Sequence, residues 1–462
     1  MKGVPLLINP WIYDFAAHDL WAKPLGLLTI ASALRSRAFS VRVIDCMDMH
    51  HPSIEKDEVL RLKKGPYGTG KFRKEAITKP TALSHVRRRY SRYGISMEAF
   101  LADLSSVETP SVIIVTSLMT YWYPGVAEAI RAARSVHPHV PVILGGIYAR
   151  LCPEHAKAFA VPDLVWDGSD ETSFIEAFIK KQGFLPQPTS EDLAPHPYPA
   201  FDLLHGLDYV CIRTSSGCPF DCRYCASRFL NPSFSRRASE EVLREILYWS
   251  EEYGIKDFAF YDDALLPGGD GAVEDLLRGI MRLEKDLRFH TPNALHATRI
   301  TPRLAHLLFE AGFKTIRLGL ETADFSLRMK LDHKLKEGEF ENAVEALFKA
   351  GFRADDIGAY VLAGLPDQSP EDVYNTLYFL DSVGIMPFIA EYSPIPHTAL
   401  WERAVAVSRY DILREPLYHN NTLLPCWSEP QRADYVGIRR AAQAVRDKVR
   451  CSNHGEGHRF SA

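Results

Sequence analysis

The sequence predicts an α/β protein: a doubly wound parallel sheet first, an open partial barrel of six βα units second, and a small helical segment last. Three observations predict it. Short β-branched runs alternate with amphipathic helical patterns over residues 1–183. A stretch rich in proline and polar residues, 184–207, then reads as an interdomain linker. A second strand–helix series runs over 208–410, and residues 411–462 read as a helical segment with a polar tail after Arg450. At 462 residues the chain exceeds one ordinary core, which agrees with this division.

The elements follow in order. The opening run to Pro10 reads as a buried strand and turn, since its apolar stretch is too short for a signal peptide and ends in Asn9-Pro10. Residues 24–35 form a helix with Leu27, Leu28, Ala31 and Leu34 on one face. Strands are expected at 41–45, 111–116, 140–144 and 164–166, with helices at 124–136 and 171–181. Residues 50–105 interrupt the rhythm. They are basic in parts (Lys63-Lys64, Arg87-Arg88-Arg89) and read as a helical or irregular excursion, either a solvated surface insertion or a lid or docking surface. In the second series the strands fall at 210–213, 257–261, 295–299, 315–320, 358–362 and 388–392. Helices lie between them, among them 240–253 and 302–311. Six units are too few for a closed eight-stranded barrel.

Composition narrows the function classes. Hydrophobic residues make up 46% and charged residues 24%, as in ordinary globular proteins. A formal net charge of −4 offers no global field for nucleic acid. No apolar run reaches the roughly 18 residues of a membrane span. A cytoplasmic location is expected, and a disulfide framework is not.

Three of the eight cysteines, Cys218, Cys222 and Cys225, fall within eight residues directly after a predicted strand. Random placement would produce this CxxxCxxC spacing about 0.002 times per chain, so it calls for a chemical reason. Cysteine thiolates are the usual protein ligands of cubane clusters. Three of them bind three irons and leave the fourth open to chelate a small molecule. Gly217 and Pro219 suit a tight turn around the metal. A structural zinc site would need a fourth Cys or His; His205 is the nearest upstream, and the three-residue gap is unusual for a zinc knuckle.

With an aromatic residue before its last cysteine, this loop resembles the signature of the radical S-adenosylmethionine (SAM) superfamily, and the likeness extends over about 205–405. It implies a radical SAM partial barrel with a [4Fe–4S] cluster on Cys218, Cys222 and Cys225. That cluster reduces SAM to a 5′-deoxyadenosyl radical. The resemblance places Tyr224 against the adenine. Asp262, in Phe260-Tyr261-Asp262-Asp263, stands where the family often binds the SAM amino group; a helix-capping Asp is the other reading. Arg299, at the expected end of the third strand, would pair with the SAM carboxylate or form a surface salt bridge. Glu321, in Leu318-Gly319-Leu320-Glu321-Thr322, would bind the ribose hydroxyls or the amino group. Ser393 belongs to Ser393-Pro394-Ile395-Pro396-His397-Thr398, where His397 replaces a usual glycine. That imidazole is either a group near the substrate mouth or a surface loop residue.

A doubly wound domain ahead of such a core resembles the cobalamin-binding subfamily. Ser117, Gly145 and Gly146 stand where that family holds the nucleotide tail and lets backbone approach the corrin. Asp48-Met49-His50 only approaches the cobalt-ligating motif of the mutase branch, so His50 is not assigned to cobalt. The resemblance implies cobalamin-relayed methylation of a small-molecule or peptide substrate, with an external electron donor such as a flavodoxin or ferredoxin. Radical cyclisation, rearrangement or C–C bond formation is the alternative, and a non-catalytic iron–sulfur redox sensor the second. Other signals are decoys. Gly65 to Phe72 nearly spells a phosphate-binding loop, but Phe72 stands where Ser or Thr must hold magnesium. Cys426 is a substrate-facing thiol or a small buried hydrophobe.

Overall fold

The computed structural model describes residues 4–62, 65–168, 174, 177, 198–267 and 271–455. The chain divides into two units: Met1–Val210 with Glu415–Tyr418, and Cys211–Arg414 with His419–Ala462. The helix expected at 171–181, the linker over 184–197 and the tail beyond 455 lie outside the described residues, apart from 174 and 177, which are helical.

In the first unit, strands β1 (Pro5–Asn9), β2 (Arg42–Asp45), β3 (Val112–Val115), β4 (Val142–Leu144) and β5 (Leu164–Val165) form one parallel sheet. Its order is β5-β4-β3-β1-β2, and every pairing is parallel. Strands β1 and β3 are buried along their whole length, as the apolar runs demand of a sheet covered on both faces. Helix α1 (Leu25–Arg35) packs Leu27, Ala31 and Leu34 with Leu7, Val112, Ile114 and Ile143. Because the chain reverses direction of winding between β1 and β3, their carboxyl ends flank a topological switch point.

The expected excursion at 50–105 has more structure than its polarity suggested. Ser91–Tyr93 pairs antiparallel with both Ile12–Asp14 and Lys74–Ala76 in a three-stranded sheet. Helix α2 (Met97–Ser106), whose N-cap Ser96 accepts from Ala99 N at 3.1 Å, packs Phe100 against Trp11 with ring centroids 4.7 Å apart. The loop at Gly65 forms a one-turn 3₁₀ helix, Pro66–Gly68, and a two-residue strand, Gly70–Lys71, which is not the strand–loop–helix of a phosphate site.

In the second unit, β6 (Val210–Ile212), β7 (Asp257–Phe260), β8 (Arg288–His290), β9 (Phe313–Glu321), β10 (Ile357–Ala363) and β11 (Met386–Glu391) form a six-stranded sheet in chain order. No strand joins β11 to β6 among the described residues, so the barrel is open. Helices α3 (Ser239–Tyr253), α4 (Pro302–Glu310) and α5 (Pro370–Val383) lie between strands. Proline at the start of α4 and α5, with Thr301 and Ser369 as N-caps, sets where they begin. The closing helix α6 (Glu429–Gly455) brings Val445 and Val449 against Met386, and Arg446 donates to Pro387 O at 3.0 Å.

One strand expectation is corrected. The third strand is Arg288–His290, not 295–299. Pro292 removes a ladder donor just after β8. Leu295 then makes a single bridge to Leu318, and Ala297–Arg299 is a 3₁₀ turn. Arg299 therefore lies on an exposed turn after the strand rather than at its end.

Candidate active site

Directly after β6, Ser215–Ser216 pairs antiparallel with Ser235–Arg236 and closes residues 217–234 into a loop. Gly217 has φ 74°, and a Cβ there would lie 2.4 Å from Ser233 O, so only glycine lets the two ends of the loop approach. Cys225 N donates to Cys222 O at 3.0 Å, making the turn between two of the thiols. Arg223 N to Leu331 O and Leu400 N to Arg223 O, both 2.9 Å, fix the loop to two other segments. Cys218 and Cys222 are half-buried and Cys225 is exposed; all three are free thiols.

The sulfurs are close enough to influence one another: burial raises Cys218 and pushes Cys222 up to about 12, with Cys225 adding to both and Lys334 opposing both. Among the described residues no three His, Cys, Asp or Glu side chains converge on a point fit for one metal ion. A polynuclear cluster does not ask for that, since each thiolate binds its own iron. His205, the alternative fourth ligand, instead faces Asp48 in the first unit, 3.0 Å from Nδ1 to Oδ2.

The acidic end of β7 anchors this loop. Asp262, 2% exposed, accepts from Thr214 N (3.0 Å), Thr214 Oγ1 (2.7 Å) and Ser215 Oγ (2.5 Å). Arg236 donates to the same Thr214 hydroxyl at 3.1 Å and to Leu265 O and Pro267 O. Burial raises the Asp262 carboxyl, and the hydroxyl and amide donors oppose the shift. Asp262 thus caps no helix; it holds the turn leading into the thiol loop.

At the end of β9, Glu321 is buried with φ 66°, beside a register shift between Gly319 and Glu321. Burial raises its carboxyl, against the field of Lys334. The Tyr224 hydroxyl accepts from Lys334 Nζ at 3.2 Å, and burial, with the charge of Glu321 after it, raises the phenol. Ser393 donates to His419 O at 2.6 Å, tying the end of β11 to the closing segment. His397 is exposed with φ 66°, the conformation for which glycine is usual, and its ring stacks on Phe229 at 4.1 Å. Cys426 is buried, and burial pushes its thiol up to about 12.

Two side chains escaped the sequence reading. Lys334 sits between two helices with no motif around it. His296 stacks on Phe220 of the thiol loop, centroids 4.3 Å apart, and its buried Nδ1 has no protein partner. Burial, with Lys334 and Arg299 nearby, lowers it to about 3, so the ring is neutral at pH 7. The only available signal was the place of His296 in the strand expected at 295–299.

In the first unit, Ser117, Gly145 and Gly146 do meet at the carboxyl ends of β3 and β4. Ser117 faces inward: its hydroxyl donates to Gly145 O at 2.6 Å and accepts from Ala149 N at 3.3 Å. A Cβ on Gly146 (φ 93°) would lie 2.2 Å from Ser117 O, so the two loops touch backbone to backbone. A Cβ on Gly145 would meet nothing nearer than Trp166 Cβ at 3.9 Å. Leu118, Met119 and Ile147, directly beside these residues, are 40%, 46% and 36% exposed. Of the aromatic run that follows, Tyr121 is buried and Trp122 donates to Asp14 at 2.7 Å. His50 faces Asp208, 2.9 Å from Nε2.

An open six-stranded parallel barrel with three thiols on the loop after its first strand defines a class. Residues 212–380 match the Radical SAM superfamily, a domain that implies a [4Fe–4S] cluster and SAM as its cofactors. Its relatives include an uncharacterized methyltransferase of Pyrococcus horikoshii, 25% identical over 68% of this chain and 74% of that one. Another is the hopanoid C-2 methylase of Rhodopseudomonas palustris, 27% identical over 57% of this chain; the match spans about half, 52%, of that protein. Among solved structures, the fold is that of the radical SAM methyltransferase TsrM from Kitasatospora setae. The form with tryptophan substrate and a SAM analogue is 16% identical with a TM-score of 0.66. The form with cobalamin and a [4Fe–4S] cluster is 15% identical with a TM-score of 0.65. Each covers 96% of this chain and 89% of that one. Among the described residues, no helix is long and apolar enough to cross a membrane.

Proposed function

We propose that the chain is a cobalamin-dependent radical SAM methyltransferase acting on a small molecule, with its cluster on Cys218, Cys222 and Cys225. The observation that carries the reading is the three-thiol loop at the carboxyl end of β6: three soft donors on one turn suit an iron–sulfur cluster and leave it a site for SAM. When bound, the cluster supplies the electron that splits the sulfonium bond of SAM, and cobalamin supplies a metal that carries a methyl group. The chain's own residues bind and orient. In this reading Arg299, exposed on its turn, meets the SAM carboxylate, Glu321 holds the ribose or amino group, and Tyr224 lies against the adenine. Asp262 and Ser393 act here by fixing the loops that frame SAM, since their oxygens already have protein partners.

For the first unit, the supporting features are Gly145 and Gly146 at the switch point and the exposed apolar trio Leu118, Met119 and Ile147 around them. They suit a flat, largely apolar ring lying on backbone. Ser117 shapes that surface from beneath. Relatives named as methyltransferases favour methyl transfer over cyclisation, rearrangement or redox sensing. An external one-electron donor, a flavodoxin or ferredoxin, completes the reading, as do a reducing cytoplasm and no role for nucleic acid. Anaerobic purification with cobalamin supplied tests it. The expected result is a corrin spectrum that stays with the protein through gel filtration, and label from [methyl-¹³C]SAM in a small-molecule product. A preparation that cleaves SAM, retains no corrin and transfers no label would contradict it.

A further inference from the structure

We propose that a cationic cavity in the first unit, lined by Lys74, Arg88 and Arg89, binds the diphosphate group of a small molecule. The inference is independent of the cluster and of methyl transfer.

The cavity lies beside the three-stranded sheet formed with the excursion at 50–105. Its volume is about 380 Å³, and its lining is Phe15, Lys74, Ala76, Arg88, Arg89 and Ser91. Small-ligand sites span roughly 300–1,000 Å³, so the space is large enough for one. A single tetrahedral oxyanion would fill only part of it.

Strand register accounts for the sign of the charge. Ser91 stands opposite Ala76 and Asp14, and Tyr93 opposite Lys74. Residues directly opposite share a face of the sheet, so Lys74, Ala76 and Ser91 lie together. Glu75 falls on the other face, where it accepts from Arg92 at 2.6 Å. Asp14 is the carboxylate in register with the cavity face. It is buried, and its two oxygens accept from Phe15 N at 2.6 Å and Trp122 Nε1 at 2.7 Å. Arg88 and Arg89 come from the segment 77–90, whose ends are joined by Ile77 N to Tyr90 O at 3.1 Å. Phe15 is buried and fixed: its ring meets Tyr90 edge-on at 5.3 Å, with the Arg88 guanidinium 5.8 Å from its centroid.

None of the lining residues is acidic. Among the described residues, neither Lys74 nor Arg89 forms an ion pair. Three cations therefore share one concave space, in a chain whose formal net charge is −4. Like charges there repel, and the concavity focuses their field on whatever enters. A diphosphate answers this arrangement. Its neighbouring phosphoryl groups suit two guanidinium forks, and the Lys74 ammonium adds a point charge. The remaining volume admits an organic body beside Phe15.

The test is isothermal titration calorimetry of the full chain with inorganic pyrophosphate and, separately, with ADP, both without divalent metal. The expected result is saturable binding that weakens as salt is raised. Lys74→Gln and Arg89→Gln should each weaken it about tenfold, and Arg88→Gln with Arg89→Gln about a hundredfold. Arg87→Gln, at an exposed neighbour outside the lining, should stay within about twofold of the parent. All the replaced side chains are exposed, so melting temperatures should match the parent. Tighter binding of ADP assigns the site to an organic diphosphate, and tighter binding of pyrophosphate to the free anion. A parent chain that binds neither probe would overturn the proposal. So would an equal loss in Arg87→Gln and Arg89→Gln, which would make the attraction a diffuse surface charge. Undiminished binding in the double variant would overturn it as well, by placing the probes elsewhere.

Discussion

Replacing any one of Cys218, Cys222 or Cys225 with alanine is expected to lower 5′-deoxyadenosine formation at least about a thousandfold, a loss of more than about 4 kcal/mol at the transition state. Iron content should fall with it. The fold should survive, because Cys218 and Cys222 are half-buried and Cys225 is exposed. Deleting such a sulfur forfeits little apolar burial, on the order of 1 kcal/mol or less. Circular dichroism and melting temperature close to the parent, alongside lost iron and lost SAM cleavage, would separate a ligand from a packing residue. A matched control is Cys211, a buried cysteine of β6: its alanine variant should keep the cluster and lose stability instead.

Asp262→Ala is expected to destabilise the second unit by about 3–5 kcal/mol. The carboxylate is the common acceptor for Thr214 N, Thr214 Oγ1 and Ser215 Oγ, and its charge faces Arg236. Alanine leaves those donors buried without an acceptor and the guanidinium without its counter-charge. Asp262→Asn keeps one acceptor oxygen in place and should cost about 1–2 kcal/mol. Against a domain stability of roughly 5–15 kcal/mol the first change is severe and the second tolerable. Denaturant titration of the full chain followed by circular dichroism reads both. An alanine variant as stable as the parent but weakened in SAM affinity would return Asp262 to the role of a direct SAM contact.

Much of the architecture is legible in residue order because buried parallel strands need continuous apolar, β-branched runs, and Val112–Val115 and Pro5–Asn9 supply them. The thiol loop is legible for a different reason: a cluster held by one turn confines its ligands to a few positions. Arg288–His290 escapes both rules. It is three residues long, carries two polar side chains and is held in the sheet by neighbours on both sides, a tertiary effect that local pattern does not record. The run at 295–299 looks more strand-like, yet it follows Pro292 and turns. Ser117 is placed correctly at the end of β3, but the direction of its hydroxyl depends on Gly145 and Ala149, which no spacing rule specifies. Lys334 is the clearest omission. Its partners come from the thiol loop and the end of β9, distant in sequence and joined only by the fold.

The central claim is a cluster held by three protein thiolates with one iron left for SAM. Mössbauer spectroscopy of the ⁵⁷Fe-reconstituted chain, before and after SAM is added, tests it most directly. The account predicts that SAM shifts the signal of one iron in four and leaves the other three unchanged. Four irons that remain equivalent in the presence of saturating SAM would contradict it.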